Sequence, residues 1–211
     1  MDKILEMAKR SYQMSTPFEI RDGENGTKIL VGKPIVFNEK TDLYYFEEVI
    51  ERGALNGADL SDVVFLVNHD TSKIPLARYK VNDPKSTMTL TVEDDGLKVR
   101  IVLDVENNPE ARALYSAVER GDITGMSFMF RIETEEWSNL DTDYPTRHIK
   151  AIAEVKEVSA VTFPAYKGTE ISTRNKTDLE KAKQTLASAG QTQKEKRDFK
   201  ATAIMRMYAK K

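Results

Sequence analysis

TMTLTVEDDGLKVRIVL, residues 87–103, contains two runs in which apolar and polar side chains alternate. Alternation with a period of two is typical of a β-strand that buries one face. The Asp95-Gly96 pair between the two runs is a strong signal for the tight turn of a β-hairpin. This stretch therefore predicts two paired strands and indicates that β-structure dominates the fold.

Further strand-like segments lie on both sides of this hairpin. Alternation recurs at residues 127–132 and 148–161, residues 28–37 have strand composition, and residues 63–67 form a continuous apolar run typical of a strand buried on both faces. The segment at residues 28–37 is either a strand pair or one bent strand, and Gly32 and Pro34 mark a kink or a sheet edge, because proline is confined to edges and irregular positions of sheets. Many short strands separated by turns predict a closed or nearly closed β-barrel.

One helix is predicted within this β-structure, at residues 109–120. Asn108 is a good N-cap, Pro109 suits the first turn, and Gly121 can end the helix. Four apolar residues at helical spacing predict a face that packs on the core: Ala111, Leu114, Tyr115 and Val118. The expected fold class is therefore mainly β with helices (α+β), a barrel flanked by helices.

The composition excludes several classes of site. None of the 211 residues is a cysteine, which excludes disulfides and thiolate metal sites and fits a reducing compartment. His69 and His148 are the two histidines, so a multi-histidine metal centre cannot be built. No apolar run reaches the roughly 18 residues of a membrane-spanning helix, so we expect no membrane association.

The charges divide the chain unevenly. Residues 167–211 carry 12 Lys and Arg against 5 Asp and Glu, whereas residues 1–166 carry 32 − 12 = 20 against 34 − 5 = 29. The basic end has helical composition at residues 178–187 and 194–208, which fits either a solvated extension or a segment with a separate task. We predict three parts: a flexible N-terminal segment (1–17), a β-barrel domain (18–170) and a basic, partly helical tail (171–211).

His69 and Ser127 are candidates for proton transfer and nucleophilic attack. His69 lies two residues past the end of the apolar run at residues 63–67, where a scaffold can hold a side chain rigidly at a rim, although a surface histidine in a turn fits as well. Ser127 begins a strand two residues after Gly125, which would let backbone N–H groups approach an oxyanion. A serine satisfied by the backbone at a strand start is the alternative.

Glu157 is an acidic residue within an apolar strand pattern. A buried carboxylate needs a partner, and orienting an imidazole is one such use. The alternatives are exposure on an edge strand or pairing with a cation, namely Lys156, Arg78 or Arg131.

No motif for a metal, an organic cofactor or a nucleic acid was found. The acidic segment at residues 133–143 lacks the glycine and the later glutamate of a calcium loop. The basic tail lacks the interleaved aromatic residues of a nucleic-acid-binding segment, apart from Tyr208. We therefore expect no cofactor, no metal and no nucleic-acid partner.

Four motifs, in order, resemble those of the prohead (capsid maturation) proteases of tailed bacteriophages of the HK97 type. They are ERGAL at residues 51–55, FLVNHD at 65–70, GDITGMSFMF at 121–130 and EVSAVTFPAY at 157–166. The resemblance covers roughly residues 18–170. Ala77 and Met129 stand where the family pattern has glycine, which can reshape the pocket without removing a reactive group.

The resemblance implies the fold of the herpesvirus assembly proteases, a β-barrel with a serine nucleophile. By the matching motifs, Ser127 is the nucleophile, His69 the base and Glu157 the third member of a triad. His148 is the rival third member, because the herpesvirus enzymes use a second histidine. Asp70 is a further rival, although an adjacent residue on an extended segment points away from His69.

The resemblance also implies a function. The chain is expected to be a serine endopeptidase that cleaves the scaffolding segment of the phage major capsid protein, and itself, during prohead maturation. It would act inside the assembling procapsid in the cytoplasm of the bacterial host, as a dimer or larger homo-oligomer. The alternative is a catalytically idle scaffold-associated protein that keeps the same barrel for capsid assembly.

Overall fold

The structure is a computed structural model that describes residues 18–23, 26–162 and 176–188, and the backbone of residues 7–13. Its helix α1 spans Pro109–Glu119, and residues 176–188 are also helical. The strands, numbered along the chain, are β1 (Met7–Gln13), β2 (Glu19–Asp22), β3 (Lys28–Val36), β4 (Lys40–Asp42), β5 (Glu47–Ile50), β6 (Asp62–Val67), β7 (Ala77–Lys80), β8 (Met88–Glu93), β9 (Gly96–Leu103), β10 (Gly125–Ser138) and β11 (Thr146–Val161). The predicted class, mainly β with helices, is confirmed. None of the described helical segments is long and apolar enough to cross a membrane.

The larger sheet has seven strands and is built around β10 and β11. These two long strands pair antiparallel with several register shifts, and β1 pairs with the other edge of β10. The free edge of β11 pairs parallel with two short strands, β5 near its start and β6 near its end. β4 and β7 extend the sheet beyond β5 and β6. As a result, β11 lies directly between β10 and β6 at its C-terminal end.

The smaller sheet has four strands in the order β2, β3, β9, β8. It contains the predicted hairpin as β8 and β9. Gly96 begins β9 where a Cβ atom would lie 2.0 Å from the carbonyl oxygen of Ile35, so the close backbone approach requires glycine. The predicted bend in β3 is also confirmed, because its register with β9 shifts between Gly32 and Ile35.

The predicted closed or nearly closed barrel is not found. Among the described residues the strands form two separate sheets, and neither strand order returns to its first member. The two sheets share one core, to which both contribute buried side chains such as Leu30, Ile101, Phe128 and Val158. Alternation predicts which face of a strand is buried, but not which strand lies at each edge, so the sequence could not distinguish a barrel from two sheets. The likeness to the fold of the herpesvirus proteases stays a prediction.

The helix α1 has the caps that the sequence predicts. The Asn108 side chain accepts hydrogen bonds from the backbone N–H groups of Glu110 and Ala111, at 3.0 and 3.3 Å. Gly121 follows the helix with φ of 77°, a left-handed conformation that glycine adopts readily. Three of the four residues of the predicted apolar face are buried: Ala111, Leu114 and Val118.

The two terminal segments both contact the body of the protein. Residues 1–17 were predicted to be flexible, and Met7–Gln13 of this segment forms β1 at the edge of β10. In the predicted tail, Leu179 packs against Leu43 and Phe46, and the Asp178 carboxylate lies 3.1 Å from Arg147 Nη1. The predicted helix at residues 194–208 lies outside the described residues, and the division into three parts stays a prediction.

Candidate active site

His69 lies in a tight turn at the end of β6. Asn68 and His69 both have left-handed backbone conformations, with φ of 52° and 58°. Non-glycine residues seldom adopt this conformation, and Asn is among those that tolerate it best. The Asn68 N–H donates to the carbonyl of Ala160 at 2.9 Å, and its side-chain oxygen accepts from the N–H of Thr162 at 3.0 Å. These bonds fix the turn to the end of β11.

Ser127 lies in β10, fully buried, and pairs across the sheet with Ser159 of β11. Its Oγ lies 2.5 Å from His69 Nε2. Gly125, two residues before Ser127, is the first residue of β10 and pairs with Val161. Ser127 therefore lies within a paired strand, and its hydroxyl is within hydrogen-bond distance of the His69 imidazole.

Glu157 lies in β11, two residues before Ser159, so both side chains are on the same face of the sheet. Its Oε1 accepts a hydrogen bond from His69 Nδ1. Its Oε2 accepts from the hydroxyl of Ser159 at 2.6 Å. Because an ionised carboxylate can only accept, Nδ1 carries the proton and Nε2 is left as an acceptor for Ser127 Oγ–H.

The sheet order explains why these three side chains meet. Ser127 comes from β10, Glu157 from β11 and His69 from the end of β6, and β11 lies between the other two strands. Three neighbouring strands thus supply one chain of hydrogen bonds. The side chains are largely removed from water: that of His69 is 12% exposed and that of Glu157 is 3% exposed.

The rival third members lie elsewhere in hydrogen-bond networks of their own. His148 binds Glu51 through Nδ1 at 3.1 Å and Ser138 through Nε2 at 2.9 Å. Asp70 accepts from the N–H of Ser72 at 3.0 Å and from its hydroxyl, and these two bonds lower the pKa of its exposed carboxyl. Of the three candidates for the third position, Glu157 is the one that the structure brings to His69.

The three cations that the sequence offered as partners of Glu157 pair with other carboxylates instead. Arg78 forms a bidentate ion pair with Asp62, in which Nε and Nη2 donate to the two carboxylate oxygens at 2.6 and 2.5 Å. Arg131 and Lys156 both pair with Glu154. The buried Glu157 carboxylate is therefore satisfied by a histidine and a serine.

Ser159 is a member of this cluster that the sequence analysis missed. Its hydroxyl donates to Glu157 and accepts from the backbone N–H of His69 at 3.2 Å. A signal for it exists in the sequence, since residues two apart on a strand share a face, but many residues meet that condition.

No group of three or more His, Asp or Glu side chains in the described part of the chain is arranged to hold a metal ion.

The sequence matches the family of caudovirus prohead serine proteases over residues 16–185. Among solved structures it is similar to the capsid assembly protease of bacteriophage T4, with 15% sequence identity and a TM-score of 0.44 over 74% of this chain and 97% of that chain. No curated protein matches the sequence.

Proposed function

We propose that this chain, which belongs to the caudovirus prohead serine proteases, is a serine endopeptidase that acts in capsid maturation. The family membership confirms the resemblance drawn from the four motifs. The observation that carries the proposal is the continuous chain of hydrogen bonds from Ser127 through His69 to Glu157. A hydroxyl, an imidazole and a buried carboxylate in this order form the unit that activates a serine nucleophile.

In the proposed mechanism, Ser127 Oγ attacks the carbonyl carbon of the scissile peptide bond. His69 Nε2 takes the hydroxyl proton, and the tetrahedral intermediate carries the negative charge on the former carbonyl oxygen. The imidazolium gives its proton to the leaving amine as the C–N bond breaks, which leaves an acyl-enzyme. A water molecule, deprotonated by His69, then releases the acid product and restores Ser127.

Glu157 supports both proton transfers without giving up its own charge. By accepting from Nδ1 it holds His69 in the tautomer whose Nε2 can accept a proton from Ser127. Its negative charge also stabilises the imidazolium that forms in each step. The second hydrogen bond, from Ser159, keeps Oε2 occupied so that Oε1 faces the imidazole.

The substrates that we propose are the scaffolding segment of the major capsid protein and the chain itself. The site of action would be the assembling procapsid within the host cytoplasm, and the active form a homo-oligomer such as a dimer. The family membership supports a role in prohead maturation, and the serine-histidine geometry supports cleavage rather than an idle scaffold role.

The test is to incubate the purified full chain, alone and with the capsid protein of the same phage, and to measure masses over time. The Ser127→Ala variant serves as the matched control. We expect wild-type protein to yield discrete fragments of one or both chains and the variant to yield none. Fragments that persist with Ser127→Ala would refute the nucleophile, and intact masses with wild-type protein would favour the idle scaffold protein.

A further inference from the structure

A cavity of about 410 Å³ lies between the end of β6, the loop that follows it and one face of α1. Most of its wall is apolar and includes Leu66, Leu76, Leu114 and Ile123. Its size falls within the range of ligand pockets in proteins. Small side chains, such as that of Ala113, line it on the α1 side and leave the space open.

The cavity borders both segments that carry the serine-histidine pair. Asn68 and Asp70 line it and flank His69 in the chain. Ile123 also lines it and lies two residues before β10, the strand of Ser127. A peptide bound with its scissile bond at Ser127 would therefore pass beside this opening.

The polar groups of the cavity are already paired within the protein. Lys73 Nζ lies 2.7 Å from the Glu110 carboxylate, and Asp70 accepts two hydrogen bonds from Ser72. The Asn68 amide is bonded to Thr162. A charged substrate side chain would find these partners engaged and would lose its hydration, whereas an apolar one would gain by leaving water.

We propose that this cavity is a substrate subsite that binds one bulky, uncharged apolar side chain, such as that of leucine, methionine or phenylalanine. The proposal rests on the proposed protease function and adds to it the chemical class of a recognised substrate residue. Ala113 would then determine specificity, because a larger side chain at that position on α1 narrows the cavity.

The experiment profiles cleavage of a peptide library by the full chain, with mass spectrometry of the products. We expect one position near the cleaved bond to favour bulky apolar residues over alanine by at least tenfold in kcat/KM, the scale at which apolar pockets discriminate. Ala113→Leu should reduce kcat/KM at least tenfold for the bulky peptides and less than threefold for the alanine peptide. Glu119→Leu, an exposed change on α1 away from the cavity, is the control and should leave the profile unchanged.

Ser127-dependent cleavage without an apolar preference, or with a preference that Ala113→Leu does not alter, would overturn the subsite alone. Absence of any cleavage that Ser127→Ala abolishes would overturn the proposed function, and the subsite with it. Ala113 is exposed on α1 and leucine is a good helix former, so Ala113→Leu is expected to fold.

A second inference concerns Ser159 and comes from its hydrogen bonds. Its fully buried hydroxyl donates to Glu157 at 2.6 Å and accepts from the His69 N–H at 3.2 Å. The same atom therefore ties the carboxylate to the backbone of the histidine that the carboxylate orients. The left-handed backbone of His69 is a disfavoured conformation that must be held by its surroundings.

We infer that Ser159 is a positioning residue that fixes the Glu157 carboxylate and the His69 imidazole relative to each other. This inference also rests on the proposed function. Loss of the hydroxyl leaves Oε2 of Glu157 without this donor and releases the His69 N–H, so the imidazole can move relative to Ser127. Small displacements of this kind affect the chemical step more than substrate binding.

The test compares the steady-state kinetics of Ser159→Ala with those of the wild-type protein. We expect kcat to fall by about 10- to 100-fold, the range seen when a residue that supports a metal ligand is lost, with KM within about threefold of wild type. Ser159→Thr, which restores the hydroxyl, should recover most of the rate.

Thr146→Val removes another buried hydroxyl from β11 at the far end of the strand and serves as the control. A Ser159→Ala enzyme with wild-type kcat, or one whose loss of kcat is not recovered by Ser159→Thr, would overturn the positioning role. If Ser127→Ala itself retained cleavage, the proposed function would be at fault instead.

Discussion

Replacing Glu157 with glutamine keeps the shape of the side chain, and the structure shows what each amide atom would face. One terminal atom faces His69 Nδ1 and the other faces the Ser159 hydroxyl. The amide oxygen must take one of these positions and the NH₂ group the other. The two orientations have different consequences for the proton on the imidazole.

With the oxygen toward His69, the tautomer is kept but the charge is lost. A charge-assisted hydrogen bond contributes about 1.5–3 kcal/mol and a neutral one about 0.5–1.5 kcal/mol. The difference of about 1–2 kcal/mol corresponds to a rate loss of roughly 5- to 30-fold. In this orientation, however, the NH₂ group donates to Ser159, whose buried hydroxyl must then find another acceptor at a cost of about 1–3 kcal/mol.

With the oxygen toward Ser159, every hydrogen bond is kept, so this orientation is favoured. The NH₂ group then donates to His69 Nδ1, and the proton of the imidazole moves to Nε2. An Nε2–H group cannot accept the Ser127 proton. The equivalent error in a serine-protease triad lowers kcat about 10⁴-fold, so we expect kcat of Glu157→Gln to fall by about 10³- to 10⁴-fold.

The assay is kcat on a peptide substrate, combined with ¹⁵N NMR of the His69 ring to identify the protonated nitrogen. Glu154→Gln is the matched control, because Glu154 is also a buried carboxylate of β11 but pairs with Arg131 and Lys156. It should keep kcat within about threefold of wild type. If Glu157→Gln retained more than a tenth of wild-type kcat, or kept Nδ1 protonated, the orienting role assigned to Glu157 would be wrong.

Three further outcomes are expected. Ser127→Ala and His69→Ala should each abolish cleavage, and the double variant should be little worse than either in a mass-based cleavage assay, because the pair acts as a unit. Leu179→Ala should lower the unfolding free energy by about 2 kcal/mol, as seen by chemical denaturation, because the side chain is buried against the body; an unchanged midpoint would show that this helix does not stabilise the fold. The Arg78 guanidinium lowers the pKa of Asp62, so their pair stabilises the fold near neutral pH and the stabilisation is lost as the pH falls through that lowered pKa. Since both side chains are more than a third exposed, Asp62→Asn should lower the unfolding free energy by under about 1 kcal/mol at pH 7 and by still less in acid, as measured by chemical denaturation. A larger loss in acid than at pH 7 would refute the predicted direction of the pH dependence.

Local elements of the fold were predictable because their signals are local. The hairpin of β8 and β9 is specified by alternation and the Asp95-Gly96 turn, and α1 by its Asn108 cap. The arrangement of strands was not predictable on these grounds. Alternation identifies a buried face, whereas the division of one edge of β11 between β5 and β6 depends on contacts between segments far apart in the chain.

The three candidate site residues were predicted from scarcity, position and motif, but their geometry was not. His69 was selected as one of two histidines, at the end of an apolar run, and Glu157 as a carboxylate in an apolar strand. Ser159 was missed because a buried serine has no signal of its own in a strand. Its role becomes visible when β6 and β11 are seen to pair, which brings the His69 N–H to its hydroxyl.

The pairing of β6 with β11 also explains how a reactive turn can be rigid. His69 lies beyond the last paired residue of β6, in a region where chains usually become mobile. Here the turn is fixed on one side by the Asn68 bonds to Ala160 and Thr162, and on the other by the bond from the His69 N–H to Ser159. The strand that supplies Glu157 therefore also holds the turn that supplies His69, so that a shift of β11 would move both groups together and preserve their hydrogen bond. Ser127 is held to the same strand by the ladder of β10 and β11. One strand thus sets the positions of all three side chains relative to one another, which is the precision that proton transfer over a single hydrogen bond requires.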